Sequence, residues 1–295
     1  MKPYGRMRRK LVSYVMTALA GLSVVIILLP LSSILYTAAV RGGAAISPGF
    51  FVNSPADPCS PRPGVTCQIG GIAPAIEGTL ILIGLAALIA VPIGISAAVF
   101  IVEYGRGRPL GRVISTTADV LSGVPSIVAG AFVYSLLVVY DPGIAFSALS
   151  GSLALSVLMI PVVTRTSEEA LRTVPNSMRE AALALGISKW KATLRIVLIT
   201  ALPGVVTGIL LSVARAAGEA APLLLTAFGS AHGFEGFNQP VDAMPLLIFN
   251  FATSPYSNWQ TLAWGAALVL ILLVLGMSLL SRLVIRRMTV RLRGG

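Results

Sequence analysis

Two residues of opposite charge, Arg215 and Glu219, lie four positions apart in a long apolar stretch of the sequence. Ionisable groups inside such stretches are costly and usually face a cavity or a partner. A guanidinium is a weakly hydrated, bidentate donor for oxyanions, and a carboxylate one helical turn away can hold it in place and keep an anion from binding too tightly. The alternative is a purely structural ion pair that only neutralises two buried charges. The pair therefore predicts either an anion waypoint or a structural salt bridge.

A polar segment with the sequence SMREAALALG occupies residues 177–186. Ser177 and Glu180 have the spacing of a capping box, which predicts a short helix starting at Met178. Gly186 is expected to end that helix in the left-handed conformation. Ser188 is then expected to cap a second helix that continues into the next apolar stretch.

The short helix is expected to present an apolar knob made of Ala181, Ala182 and Leu185. Such a knob suits insertion into a groove on another protein. An amphipathic helix lying on lipid headgroups would bury the same apolar face, and the residues alone leave both readings open. The basic residues that would then contact lipid are Arg179, Lys189 and Lys191.

The elements that must position these residues are membrane-spanning helices. The chain has 295 residues, of which 56% are hydrophobic and 11% charged, and its mean hydropathy is +0.88. A helix of about 20 apolar residues crosses a bilayer, and this composition predicts an all-α, polytopic membrane protein. Six spans are expected, at residues 11–40, 76–102, 122–140, 145–163, 196–228 and 262–280.

The basic residues predict how these spans are oriented. If six helices alternate in direction, all but three of the 22 Lys and Arg residues fall on one side, and the exceptions are Arg41, Arg62 and Arg215. Because short basic loops stay in the cytoplasm, both termini are expected on the cytoplasmic side. The protein itself is expected to be a multi-pass protein of the cell membrane. Orientation also explains the net charge of +11 without any binding to nucleic acid. The first span carries no charge and is longer than the core of a cleavable signal, so it is expected to remain as an anchor.

Cys59 and Cys67 lie in the loop that this topology places outside the membrane. An oxidising exterior favours a disulfide between them, and two free thiols are the alternative.

Several functional classes lack the residues that they need. The sequence has no G-x-x-x-x-G-K-[ST] phosphate loop, so no nucleotide hydrolysis by the chain itself is expected. His232 is the single histidine, which argues against a metal site and against Ser-His-Asp catalysis. We expect neither an enzyme nor a directly bound cofactor.

Small residues recur every four positions in the fifth span, which predicts close packing between helices. They are Gly204, Gly208, Ser212 and Ala216.

The polar segment resembles the EAA loop of ABC-importer permeases. The resemblance rests on Glu180, Ala181 and Ala182, with Gly186 at the family's spacing and Ile196 ten residues further on. Other segments resemble phosphate-importer permeases, in particular the PstA type, over about residues 72–285. These segments are 77–80, 92–95, 103–104, 123–130, 215–224 and 254–260.

This resemblance implies a type I ABC importer permease fold with a transmembrane domain at 72–285. It also implies a cytoplasmic coupling loop at 165–195. Outside the region of resemblance, hydropathy and charge predict a basic tail, the first transmembrane helix and the extracytoplasmic loop with both cysteines at 1–71, and a basic cytoplasmic tail at 286–295. Its coupling residues are Glu180, Ala181, Ala182, Leu185 and Gly186, which would dock into an ATPase subunit. The family's intramembrane charges fall on Arg215 and Glu219, and Arg165 aligns with a second arginine implicated in substrate passage.

The implied partners are a second permease subunit (PstC type), two ATPase subunits (PstB type) that use the ATP, and an extracytoplasmic phosphate-binding protein (PstS type). The stripe from Gly204 to Ala216 is then expected to pack against the second permease subunit. The sequence departs from the family pattern at Ile199, where a proline is usual, and the bend at the membrane entry is expected at Pro203 instead. The alternatives are a permease for another oxyanion such as molybdate or sulfate, and an ATP-independent channel or carrier.

Overall fold

The computed structural model describes residues 4–59 and 67–293 of the chain. Lys2 and Arg62, which entered the orientation argument, lie outside the described residues. The described part is built almost wholly of helices and contains two isolated bridges, Pro55–Gly70 and Phe228–Val241. The helices are α1 Tyr4–Ala45, α2 Ala73–Val99, α3 Pro109–Ser122, α4 Ser126–Tyr140, α5 Ala148–Arg172, α6 Asn176–Ala184, α7 Lys189–Ala192, α8 Leu198–Ala216, α9 Ala221–Leu224, α10 Met244–Ala252 and α11 Ser257–Arg293. The all-α, membrane-spanning fold class is confirmed.

The central helices of the bundle are α2, α5 and α8. Leu82, Ala86 and Ala90 of α2 are buried against Leu155 and Met159 of α5, which forms an apolar core with many small residues. Where α2 and α5 approach most closely, a Cβ placed on Gly94 would lie 2.8 Å from the Cβ of Val163. Glycine is needed there because the two backbones leave no room for a side chain.

Three of the six expected spans have the predicted extent to within a few turns. The first, second and sixth correspond to α1, to α2 with the π-helical turn Phe100–Tyr104, and to α11. α11 runs to Arg293, so the expected basic tail at 286–295 is helical as far as it is described.

The expected third span at 122–140 is wrong at its start. α3 and α4 meet at an angle of 107° across residues 123–125, so this part of the chain is a sharply bent helix pair rather than one straight span. A proline disfavours the helical conformation of the residue before it, and Val124 precedes Pro125 at this break. α3 itself was not expected, because its apolar residues occupy only one face.

The fourth and fifth spans also differ from the prediction. α5 covers 148–172 rather than 145–163, because Arg165, Glu168 and Arg172 continue it as a helix held by mutual ion pairs. The fifth span does not reach residue 228: α8 ends at Ala216, and α9 is a separate single turn. Its entry contains the π-helical turn Thr193–Val197, and Pro203 lies inside α8.

The stripe of small residues in α8 packs against α5 of the same chain. A Cβ on Gly204 would lie 2.7 Å from the Cβ of Ala170, and one on Gly208 would lie 2.5 Å from the Cβ of Thr166. Ser212 and Ala216 continue the stripe and are buried. The predicted close helix packing of this stripe is therefore made with α5 of the same chain, and its contact with a second permease subunit stays a prediction.

The bundle has two ends, which we call the α6 end and the opposite end. The coil and helices that follow α2 and α5 meet at the α6 end. At the opposite end, a Cβ on Gly265 of α11 would lie 3.0 Å from the Cβ of Ala45, the last residue of α1. Because α1 ends there and α11 begins there, the beginning of α1 and the end of α11 lie towards the α6 end.

The segment between α1 and α2 folds over the opposite end. Cys59 and Cys67 are joined by a disulfide, with their Cα atoms 5.6 Å apart. The side-chain amide of Asn258 donates to the carbonyls of Asp57 and Gln68, at 2.9 and 3.0 Å. The indole of Trp259 donates to the carbonyl of Ala56 at 2.9 Å. The start of α11 thereby holds this loop in place.

Candidate functional site

The helix, glycine and helix expected around residue 186 are present. Gly186 has a φ of 74°, the left-handed conformation predicted for it. The predicted capping box is wrong: α6 begins at Asn176 behind Pro175, and the Ser177 side chain caps nothing. Pro175 precedes the helix with a φ of −60° and a ψ of 142°, and α6 begins directly behind it, one residue before Ser177. α7 begins at Lys189 after Ser188, as expected, although the Ser188 side chain makes no capping bond.

The apolar knob is arranged differently from the prediction. Ala182 is buried against the body of the protein, whereas Ala181 is exposed and Leu185 is 80% exposed. Met178, at 37% exposure, lies on the same side as Ala181 and Leu185 because the three occupy positions i, i+3 and i+7. We call these three residues the outer face of α6. Glu180, beside this face, is also exposed. An exposed apolar patch such as the outer face of α6 is typical of a contact surface.

Arg179 fastens α6 to the end of α2. Its Nε and Nη2 lie 2.9 and 2.8 Å from Oε1 of Glu103, and both side chains are largely buried. Nη2 also donates to the carbonyl of Leu171 in α5 at 2.9 Å, and Nη1 donates to that of Val174. Arg179 is thus not available to contact lipid. The alternative in which this element lies on lipid headgroups is therefore wrong for Arg179. No local sequence pattern could have predicted this ion pair, because Glu103 and Arg179 are separated by 76 positions.

Arg165 lies in α5, two turns before the helix ends, rather than at the inner end of the fourth span. Its Nη1 is 2.6 Å from Glu168 Oε2 and its Nη2 is 2.5 Å from Asp119 Oδ2. Nη1 also donates to the hydroxyl of Ser115 at 2.9 Å. Glu168 in turn lies 2.7 Å from Arg172. The guanidinium is therefore occupied by two carboxylates in this conformation, while its Nε is buried without a hydrogen-bond partner.

Sequence reasoning missed Asp119, Glu168 and Ser115 in this cluster. The spacing of Arg165, Glu168 and Arg172 is a helical i, i+3, i+7 pattern, and that pattern could have revealed the Glu168 contacts. Asp119 and Ser115 come from α3, which was not expected as an element.

Arg215 and Glu219 lie together at the end of α8, where the helix breaks. Nε of Arg215 is 3.6 Å from Oε1 of Glu219, and the Arg215 side chain is 60% exposed. The pair was expected in the middle of a span and on one helical face, and this is wrong because the chain leaves the helix after Ala216. Within the single chain the two side chains are therefore close together but not buried.

No cluster of three or more His, Cys, Asp or Glu side chains suited to a metal occurs within residues 4–59 and 67–293. His232 lies in an exposed part of the loop between α9 and α10.

A family model described as "Binding-protein-dependent transport system inner membrane component" matches residues 90–290. The matched range includes Arg165 with its ion-pair partners, the pair of Arg215 and Glu219, and the whole of α6 and α7. The chain belongs to this family.

The chain is also similar to characterised relatives along most of its length. It is 42% identical over 282 residues to the phosphate transport system permease protein PstA 1 of Mycobacterium tuberculosis (strain CDC 1551 / Oshkosh), covering 94% of this chain and 90% of the relative. It is 46% identical over 220 residues to PstA of Xylella fastidiosa (strain 9a5c), covering 75% and 76%. The family's members are transport permeases, and the resemblance seen in the sequence motifs is confirmed.

Two solved structures have the same fold. A bacterial alginate ABC transporter, crystallised with an alginate pentasaccharide-bound periplasmic protein, superposes with a TM-score of 0.66 at 15% identity, covering 98% of this chain and 99% of the other. The methionine ABC transporter MetNI, in inward-facing conformations, superposes with a TM-score of 0.59 at 18% identity, covering 73% and 96%. The ABC importer permease fold is confirmed.

Proposed function

We propose that this chain is the transmembrane permease subunit of an ATP-driven phosphate importer and forms half of its translocation pathway. The observation that carries the proposal is the 42% identity, over 94% of the chain, to a relative named as a phosphate transport permease. The α6–α7 element, with its outward apolar face, supplies the contact through which such a subunit would be moved.

The complex would contain a second permease subunit (PstC type), two ATPase subunits (PstB type) and an extracytoplasmic phosphate-binding protein (PstS type). The ATP would be bound and hydrolysed by the ATPase subunits. The α6 end would face the cytoplasm, with both termini on that side, because the loops at this end carry most of the basic residues. The disulfide at the opposite end agrees with an oxidising exterior.

The outer face of α6 would dock into a groove of the ATPase. Closure of the ATPase subunits on ATP would pull α6, and Arg179 would pass this movement to α2 through Glu103 and to α5 through the carbonyl of Leu171. A rigid connection of this kind would move the central helices together, from an inward-open to an outward-open arrangement.

Arg215 would be the first waypoint for phosphate, with Glu219 tuning its affinity, and Arg165 would be the second. The support for Arg215 is its exposed guanidinium at the end of α8. At Arg165 a passing anion would have to replace Asp119, whose side chain is 67% exposed and can move away into water.

Uptake of radioactive phosphate into vesicles that contain the complete reconstituted complex tests these roles. Arg215→Ala and Glu219→Ala should each lower uptake at least tenfold while the complex still assembles. Arg41→Ala is the matched control because Arg41 is an exposed basic residue that lies outside the α6–α7 element and away from Arg165 and Arg215. Parental uptake by the Arg215→Ala variant would contradict the waypoint role and leave the family assignment intact.

Two controls separate this function from its alternatives. Molybdate or sulfate that competes with phosphate at equal concentration would favour a permease for another oxyanion. Uptake by the permease subunits without any ATPase would favour a channel or carrier, and we expect none.

A further inference from the structure

A cavity of about 350 Å³ lies at the α6 end, between the end of α2 and the α6–α7 element. Its volume is within the range of about 300–1,000 Å³ that small-molecule sites occupy. Its lining contains three buried apolar residues, Val102, Ala192 and Val197, which we call the floor, and several basic side chains. These basic residues are Arg106, Arg108, Arg179 and Lys189.

The charges of this cavity do not cancel. Glu103 is the one acidic residue in its lining, and Arg179 already occupies that carboxylate with two nitrogens. Across residues 4–59 and 67–293, no carboxylate lies within 4.0 Å of the side-chain nitrogens of Arg106, Arg108 or Lys189. Three cations thus surround one cavity, and their mutual repulsion favours an anion among them.

A ring contact and a backbone turn lie beside these cations. The ammonium group of Lys189 lies 4.9 Å from the centre of the Tyr104 ring, which is a cation–π contact. Gly107 has a φ of 72° between Arg106 and Arg108, and this conformation turns the loop sharply. The same two arginines also line a second cavity of about 210 Å³ on the other side of the loop, with Arg112 and Arg172.

We propose that this cavity is a binding site for a phosphate group, separate from the pathway arginines Arg165 and Arg215. Guanidinium forks and an ammonium group are the side chains that recognise phosphate oxygens. The ligand is either the headgroup of an anionic lipid, whose acyl chain would meet the apolar floor, or free inorganic phosphate on the side where the transported ion is released. The site adjoins Arg179, so its occupant bears on the connection between α6 and α2.

The test uses the assembled complex and two matched double variants. Arg106→Gln/Arg108→Gln removes two charges from the cavity. Lys191→Gln/Arg195→Gln removes two exposed charges from the neighbouring segment, and neither residue lines the cavity. Gel filtration with intact subunit stoichiometry shows that each variant folds and assembles, and Lys189→Gln serves as a second cavity variant if the double variant does not.

One arm measures phosphatidylglycerol retained by the detergent-purified complex, by native mass spectrometry. The other measures radioactive phosphate bound to the complex in phosphatidylcholine nanodiscs, by equilibrium dialysis without the binding protein. If the cavity variant retains at least fivefold less phosphatidylglycerol than the control variant, the site binds lipid. If it binds at least fivefold less radioactive phosphate than the control variant, the site binds free phosphate. Binding that is equal in the two variants, in both arms, would overturn the proposal, because it would show only diffuse attraction between basic loops and anions. Neither arm depends on transport, so a failure here leaves the proposed function standing.

Discussion

The guanidinium of Arg179 lies 2.8 to 2.9 Å from the carboxylate of Glu103, and this pair joins the short helix α6 to the end of the long helix α2. Their side chains are only 15% and 7% exposed. Two charges that are buried together in this way connect two elements rigidly, because either one alone would be left uncompensated.

Arg179→Ala should therefore destabilise the complex strongly, since removing one partner of a buried pair costs about 3–5 kcal/mol. The double variant Glu103→Leu/Arg179→Leu should recover much of that loss, because no buried charge remains. Thermal unfolding of the purified complex measures both effects. If the pair transmits movement, phosphate uptake per ATP hydrolysed should remain low in the double variant. Unchanged stability in Arg179→Ala would contradict the role of the buried pair in joining α6 to α2.

The two carboxylates on Arg165 should contribute unequally to stability. The Asp119 side chain is 67% exposed, whereas that of Glu168 is 5% exposed and also contacts Arg172. Asp119→Asn should lower the free energy of unfolding by less than about 1 kcal/mol, because exposed ion pairs contribute no more than this. Glu168→Gln should cost about 3 kcal/mol because it breaks a buried pair. Denaturation of the two variants side by side checks this order, and an equal cost would show that burial does not separate them.

Gly208→Ala should force α5 and α8 apart. The added methyl group would lie 2.5 Å from the Cβ of Thr166, which is a packed side chain of the neighbouring helix. Overpacking of this kind costs about 1–3 kcal/mol. Gly84→Ala in α2 is the matched control, because its methyl group would meet nothing within 4 Å and alanine favours a helix by about 0.5–1 kcal/mol. Equal melting temperatures for the two variants would show that the stripe is not closely packed.

The stability of the opposite end should depend on pH through Asp242. Burial raises the pKa of this carboxyl from 3.8 to about 7, and the residue lies in the loop before α10, outside the spans. The unfolded chain ionises from about pH 4, whereas the folded chain stays protonated up to about pH 7, so stability falls as the pH rises across this window and then stays level. The complex should melt at a higher temperature at pH 5.5 than at pH 8, and Asp242→Asn should reduce this difference. A difference of the same size in Asp242→Asn would assign the pH dependence to other groups.

Much of the function could be predicted from the sequence because it is written in local patterns. The apolar lengths predicted a polytopic helical protein, since backbone groups in hydrocarbon must be satisfied within each helix. The left-handed turn at Gly186 was predicted because only local sterics decide it. The ordered motifs from Glu180 to Gly186 and from 215 to 224 predicted the family, which the comparison with known permeases confirmed.

The start of α6 could not be predicted as readily, although it too is local. A serine followed three residues later by glutamate is a capping signal, but Pro175 fixes the preceding backbone and starts the helix earlier, so two local signals competed.

What the tertiary structure decided is which charges meet. Glu103 and Arg179 are 76 positions apart, and Ser115 and Arg165 are 50 apart, so no periodicity within one element could reveal either contact. The structure also decided that Arg215 lies at a helix end and that the small residues of α8 face α5. Hydropathy records only whether a segment is apolar, whereas the break after Ala216 and the partner of each helical face depend on packing against other helices. The sequence by itself therefore determined the class of protein and the left-handed turn at Gly186, and the fold determined which carboxylates the arginines of the described residues contact.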